Sequence, residues 1–145
     1  MNTLYQFLRK RGYGRVRLLT LPTNHYVVNA TLNGTEGRFI LDTGASATCV
    51  STERATHFHL NPKPSEEKAS SASSNELETE LAHNNELLIG PWSSKRRSVV
   101  LFDMQAVNHA LQKHLIEKVD GIIGADILQS VNAIIDYKND WLYLR

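Results

Sequence analysis

The chain has 145 residues, 41% of them hydrophobic, and 16 Lys+Arg against 15 Asp+Glu leave a formal charge of +1. That length suits one domain with a real core and is too short for two, and the near-neutral charge gives no sign of a strongly basic nucleic-acid binder. The single cysteine, Cys49, excludes an intramolecular disulfide and a Cys-rich zinc module, and no apolar run approaches the roughly 18 residues of a membrane span.

The N-terminal stretch carries Arg9, Lys10, Arg11, Arg15 and Arg17. A secretory signal follows its basic start with about 7–15 apolar residues, and here Gly12, Gly14, Arg15 and Arg17 interrupt everything that follows. Residues 1–21 therefore read as an N-terminal arm or short helix leading into a first strand over 16–21, stopped by Pro22. The compartment defaults to cytoplasmic, with a secreted or periplasmic form whose signal has been removed as the alternative.

Residues 25–32 follow as a strand with Tyr26, Val28, Ala30 and Leu32 on one face. Asn33-Gly34 is a strong hairpin signal, because both turn residues must tolerate positive φ. Residues 37–41 return as the second strand and run into Asp42-Thr43-Gly44. Residues 48–51 read as another short strand, after which Ser51 or Thr52 can cap a brief helix to residue 57. Residues 61–75 change character: Pro62, Pro64, Glu66, Glu67, Lys68 and five serines predict a solvated, mobile loop.

Leu77, Thr79 and Leu81 alternate with Glu76, Glu78 and Glu80, which is strand periodicity with one wet face. Asn84-Asn85 suits a turn, 86–89 leads to Gly90-Pro91, Lys95-Arg96-Arg97 reads as a solvated turn, and 99–102 as a short buried strand. Residues 104–119 predict the best helix, with Val107, Leu111, Leu115 and Ile116 at helical spacing and Asp120-Gly121 at its end. Strands at 131–136 and 141–144 flank a turn at 137–140. Many short strands with close turn signals predict an all-β, closed or partly closed structure with two or three short helices.

The most informative segment is Phe39-Ile40-Leu41-Asp42-Thr43-Gly44-Ala45-Ser46. A carboxylate directly after three apolar strand residues emerges from the core at a strand end, and Gly44 allows a sharp turn that aims backbone N–H groups at it. Some 80 residues on, Asp120-Gly121-Ile122-Ile123-Gly124-Ala125-Asp126-Ile127-Leu128 supplies an apolar–apolar–Gly strand. In these two segments the chain resembles the retropepsin-like aspartic proteases, single-domain relatives of pepsin that include the retroviral proteases. The closing pair Ile134-Ile135-Asp136-Tyr137 and Trp141-Leu142-Tyr143-Leu144 is similar to that of bacterial members. The resemblance covers about residues 22–145, which it implies to be one acid-protease domain.

What the resemblance implies is an aspartic endopeptidase acting on peptides or proteins without a cofactor or metal. Asp42, Thr43 and Gly44 would form the catalytic loop. Such enzymes hold a water between two carboxylates, and this chain has one such loop, so a two-fold homodimer would bring two Asp42 side chains together with Thr43 interlocking across the axis. The strands at 16–21 and 141–144 would be its interface, as in retroviral dimers. Ala45 and, in the lid, Ser73, Ser74 and Asn75 would face the substrate. Ala45 lacks the hydroxyl that a serine would direct at the carboxylate, so the dyad should titrate higher and tolerate weakly acidic or near-neutral pH. The lid departs from the family pattern, because no glycine occurs between Gly44 and Gly90. The alternative function is a non-catalytic dimerisation or peptide-binding module of the same fold.

Other candidates read as structural. Asp126 suits a helix N-terminus or an ion pair, and Asp136 and Asp140 flank a turn. His57 and His59, or His109 and His114, lack the i,i+4 spacing of a helical metal pair. Cys49, among apolar neighbours, reads as a buried, inert thiol.

Overall fold

A computed structural model describes residues 3–70, 76–114 and 116–145, with the backbone alone given at 65–70 and 76–78. Thr3 forms a reciprocal cap: its hydroxyl accepts the Gln6 N–H while the Gln6 side chain accepts the Thr3 N–H. Helix α1 (Leu4–Arg9) follows. The expected strand over 16–21 is in fact two, β1 (Gly14–Arg17) and β2 (Leu19–Thr20), which enter different sheets. Leu18 between them is buried, and its N–H donates to the Asp140 carbonyl, which pins the switch.

β3 (Tyr26–Leu32) and β4 (Thr35–Leu41) pair antiparallel around Asn33-Gly34, whose φ angles are 50° and 84°. Then come β5 (Cys49–Ser51), a 3₁₀ turn (Thr52–Arg54), β6 (Lys63–Ser70), β7 (Glu76–Ile89), β8 (Trp92–Phe102) and α2 (Gln105–Gln112). The chain ends with β9 (Gly121–Ile123), α3 (Ala125–Ser130), β10 (Ile134–Asp136) and β11 (Trp141–Leu144).

Six of these strands close a ring in the order β3-β4-β9-β5-β8-β7, sealed where β7 returns to β3 at Leu32 opposite Leu87. Val28, Leu32, Phe39, Val50, Phe58, Leu87, Leu101 and Ile123 belong to the main core, together with Ile127 from α3 and Leu142 and Leu144 from β11. All four residues expected on one face of β3, Tyr26, Val28, Ala30 and Leu32, lie in that core. Val27 and Ile40, pointing the other way, pack instead with Met104, Leu111, Ile116 and Val119 in a second cluster. The period of two along a strand thus feeds two apolar layers. β1, β11 and β10 make a separate three-stranded sheet with β11 in the middle.

Four expectations change. Residues 63–70 form an edge strand on β7 instead of a loop, with the pairing irregular between Pro64 and Lys68, and an edge is where proline and charge are tolerated. Asn84-Asn85 is a bulge within β7, not a turn: Asn84 takes φ 62°, and the Asn85 amide donates to the Ala82 and Arg97 carbonyls. Residues 95–97 likewise lie inside β8, with Arg96 at φ 63°. The helix expected over 104–119 stops at Gln112. Asn108 pins the returning chain there, donating to the Val119 carbonyl and accepting its N–H. Leu115 lies outside the described residues.

Candidate active site

Two strand ends run side by side. β4 and β9 pair parallel, with Leu41 opposite Ile123, so Asp42 and Gly124 leave the barrel at the same rim. The Asp42 N–H continues the ladder one step to the Ile123 carbonyl at 3.0 Å. The chain then turns tightly: the Gly44 N–H donates to Asp42 Oδ1 at 2.8 Å and the Ala45 N–H to the Asp42 carbonyl at 3.2 Å. The first of these bonds fixes the carboxylate by the backbone of its own loop, as the Asp-Thr-Gly sequence predicts. Asp42 and Ala45 are half-buried, and Thr43 and Gly44 are exposed.

Gly124 explains why the second motif ends in glycine. A Cβ there would sit 2.8 Å from the Ala45 carbonyl oxygen and 2.7 Å from that of Ala47. The two loops therefore touch backbone to backbone, and the Ala125 N–H donates to the Ala45 carbonyl at 2.7 Å. Beside this contact, Thr43, Ala125, Leu128, Gln129, Asn132, Ala133 and Ile135 line an open cavity of about 320 Å³.

Asp126 sits in the first turn of α3, and its oxygens accept from the Thr48 N–H and hydroxyl and from the Ile127 N–H. The expectation of a helix N-terminal role holds, with neutral donors as its partners. Asp120 is the ion-paired acid instead, accepting from Arg54 Nε at 2.8 Å and from the Arg38 N–H at 2.9 Å. Asp136 accepts the Lys138 and Asn139 N–H groups, and Asp140 accepts the Tyr26 hydroxyl, so both serve the final turn region. Cys49 lies half-buried, and burial, then Asp126, then Asp42 push its thiol up to about 11.

Asp42, Thr43, Gly44 and Ala45 thus form one loop at the barrel rim. Ser73, Ser74 and Asn75 lie outside the described residues, between β6 and β7. Thr48 had no role in the sequence reading. It is 1% exposed, yet its hydroxyl makes two hydrogen bonds. Six residues past Asp42 and just ahead of β5, it carries no signal of its own in the sequence. Among the described residues, no group of three or more His, Cys, Asp or Glu side chains is placed to hold a metal.

The fold has solved counterparts. A retropepsin-like aspartic protease from Rickettsia conorii is 19% identical over 91% of this chain and 90% of its own, with a TM-score of 0.61. EIAV protease in complex with the inhibitor HBY-793 is 17% identical over 81% of this chain and 99% of its own, at 0.58. The retroviral protease-like domain of Ddi1 from Leishmania major is 17% identical over 77% and 81%, at 0.53. No curated protein matches the sequence. The family model described as aspartyl protease matches residues 28–127, a span that holds both loops, so the chain belongs to the aspartyl protease family, with a retropepsin-like fold.

Proposed function

We propose that the protein is an aspartic endopeptidase whose catalytic centre forms between two copies of the chain. The observation that carries this is the Asp42 loop: a carboxylate at a strand end, held by the Gly44 N–H, with exposed Thr43 beside it. Two carboxylates about 3 Å apart cannot both ionise easily and share one proton. The ionised one takes a proton from the water between them as that water attacks the scissile carbonyl carbon. The protonated one donates to the carbonyl oxygen. The resulting tetrahedral species then breaks its C–N bond as the amine gains a proton.

The three-stranded sheet suggests where the second copy sits. β11 is paired on both sides, so it has no free edge to offer, whereas β1 and β10 each keep one. β10 carries Ile135, which lines the cavity beside Thr43. Pairing through β10 brings the partner to the Asp42 rim. In this reading the antiparallel pair of β6 and β7 is the lid over the cleft.

Digestion of a peptide library by wild type beside Asp42→Asn, across pH 4–8, tests the activity. Cleavage by the wild type that is lost in the variant supports the proposal. Equal cleavage by both ends it, and a stable dimer that cleaves nothing at any pH leaves the binding-module reading instead.

A further inference from the structure

Three groups compete for a use beyond the loop itself: the stack of Arg15 and Arg17 on Trp141, the thiol of Cys49, and the link between Asp126 and Thr48. Arg15 and Arg17 lie 3.8 and 3.9 Å from the Trp141 ring, and nothing on that face indicates an occupant. The thiol donates to the Ala47 carbonyl and serves the local fold. The third group leads to Asp42.

We infer that Asp126 is a positioning residue for the Asp42 loop and acts through Thr48; this rests on the endopeptidase reading. The Thr48 N–H donates to Asp126 Oδ2 at 3.1 Å and the Thr48 hydroxyl to Asp126 Oδ1 at 2.8 Å. That hydroxyl has a second bond, accepting the Gly124 N–H at 3.1 Å. The bidentate grip therefore fixes both the position of Thr48 and the direction of its O–H. The oriented oxygen in turn holds Gly124, the residue against which Ala45 and Ala47 pack.

The Asp42 loop is anchored at its start, its end and midway. At its start, the Asp42 N–H is tied to Ile123, the residue before Gly124. At its end, Thr48 is tied to Asp126 and its carbonyl accepts the Val100 N–H. Residues 43–47 span the interval, and the Ala125 N–H holds the Ala45 carbonyl midway. Asp126 thus closes a clamp that joins α3 to the far end of the catalytic loop. Asparagine cannot replace it. Where two carboxylate oxygens meet three donors, from Thr48 twice and Ile127 once, an amide offers one oxygen and turns an N–H toward a donor.

A misplacement of about 1 Å at a catalytic group costs on the order of 100-fold in rate. Two-carboxylate chemistry across a dimer axis is exposed to this twice, because both copies carry the defect. Loss of the clamp should therefore lower kcat with little change in KM, since the loop's placement governs the reacting atoms rather than the length of the cleft.

The test is a cycle of Asp126→Asn, Thr48→Val and the double variant, with Thr48→Ser as the conservative control. Each is measured for kcat, KM, thermal midpoint and the backbone amide resonances of Gly44 and Ala45. We expect each single variant to lose about 100-fold in kcat while it remains folded. The double should lose no more than either single, and Thr48→Ser should recover most of the turnover because it keeps the hydroxyl. Unchanged kcat in a folded Asp126→Asn, or losses that multiply in the double, would overturn the inference and leave Asp126 a helix-stabilising residue alone. If Asp126→Asn does not fold, the contrast between Thr48→Val and Thr48→Ser decides in the same way. Should the wild type cleave no peptide, the endopeptidase reading fails separately. The Gly44 and Ala45 resonances then decide: common displacement in Asp126→Asn and Thr48→Val supports the clamp, and unmoved resonances refute it.

Discussion

Asparagine at position 42 could still accept the Gly44 N–H on one oxygen, in a loop that is partly exposed. Asp42→Asn should therefore leave the thermal midpoint within about 1 kcal/mol-equivalent of wild type while removing the proton that the chemistry needs; differential scanning calorimetry beside a cleavage assay checks this. Cys49, seven residues from the loop's start on the chain, makes a second residue-scale prediction. Burial and the nearby Asp126 and Asp42 push its thiol up to about 11, so the reactive thiolate is scarce at neutral pH. Iodoacetamide labelling of the folded protein should be slow at pH 7.5 and accelerate only toward pH 11, whereas the denatured chain should label readily near pH 9. Rapid labelling of the native protein at pH 7.5 would contradict that environment. At this scale the tight loop of Asp42, Thr43 and Gly44 at a strand end was legible, because an acid and a glycine directly after three apolar strand residues mark a turn leaving the core. The sequence placed Asp126 at a helix N-terminus but gave no sign of its link to Thr48, a contact 78 positions apart in the chain.

At the scale of elements, local rules held where one turn decides the geometry. Asn33-Gly34 made its hairpin because both residues reach positive φ without penalty. The same rule failed at Asn84-Asn85, and the reason lies elsewhere in the barrel. The Asn33 side chain donates to Asn85 Oδ1 and to the Phe58 carbonyl, and accepts the Glu86 N–H, so a residue of one hairpin turn fastens the bulge of another strand. No window of sequence contains that partner. The strand over 63–70 likewise has no local signature, since it exists through pairing with β7 and not through an apolar pattern of its own. The tie between β3 and the turn before β11 gives a pH-dependent prediction. The Tyr26 hydroxyl donates to Asp140 Oδ1 at 2.8 Å, and burial, followed by that bond and the carboxylate's charge, pushes it from 10.0 up to about 12. Ionisation is thus harder in the folded chain than in the unfolded one. The contribution of Tyr26 is fully present below pH 10 and lost as pH rises through about 12. Tyr26→Phe should cost about 1–2 kcal/mol in urea unfolding at pH 8, with the difference from wild type shrinking above pH 10. A difference that grows with alkali would refute the assignment.

For the whole molecule, the barrel is closed on itself by β3 and β7, while the three-stranded sheet keeps free edges on β1 and β10. Exposed Thr43 shares an open cavity with Ile135, and in the proposed dimer this is the side on which the second copy would sit. The overall class was legible because short strands, close turns and two loop motifs in order constrain one another. The sequence does not reveal that β11, one of the strands expected at an interface, is paired on both sides within the chain. If the dimer forms as proposed, activity per chain should fall on dilution through the dissociation constant. The most direct measurement mixes wild type at a fixed concentration with increasing Asp42→Asn, under conditions where dimers exchange and remain saturated. Each heterodimer then carries one intact and one altered loop, and cleavage of the peptide library is followed. An equal amount of the variant should reduce the rate to about one half, and a threefold excess to about one quarter, because random pairing of two-fold partners removes active pairs. A rate that stays constant at every ratio would contradict a catalytic centre shared between two Asp42 residues.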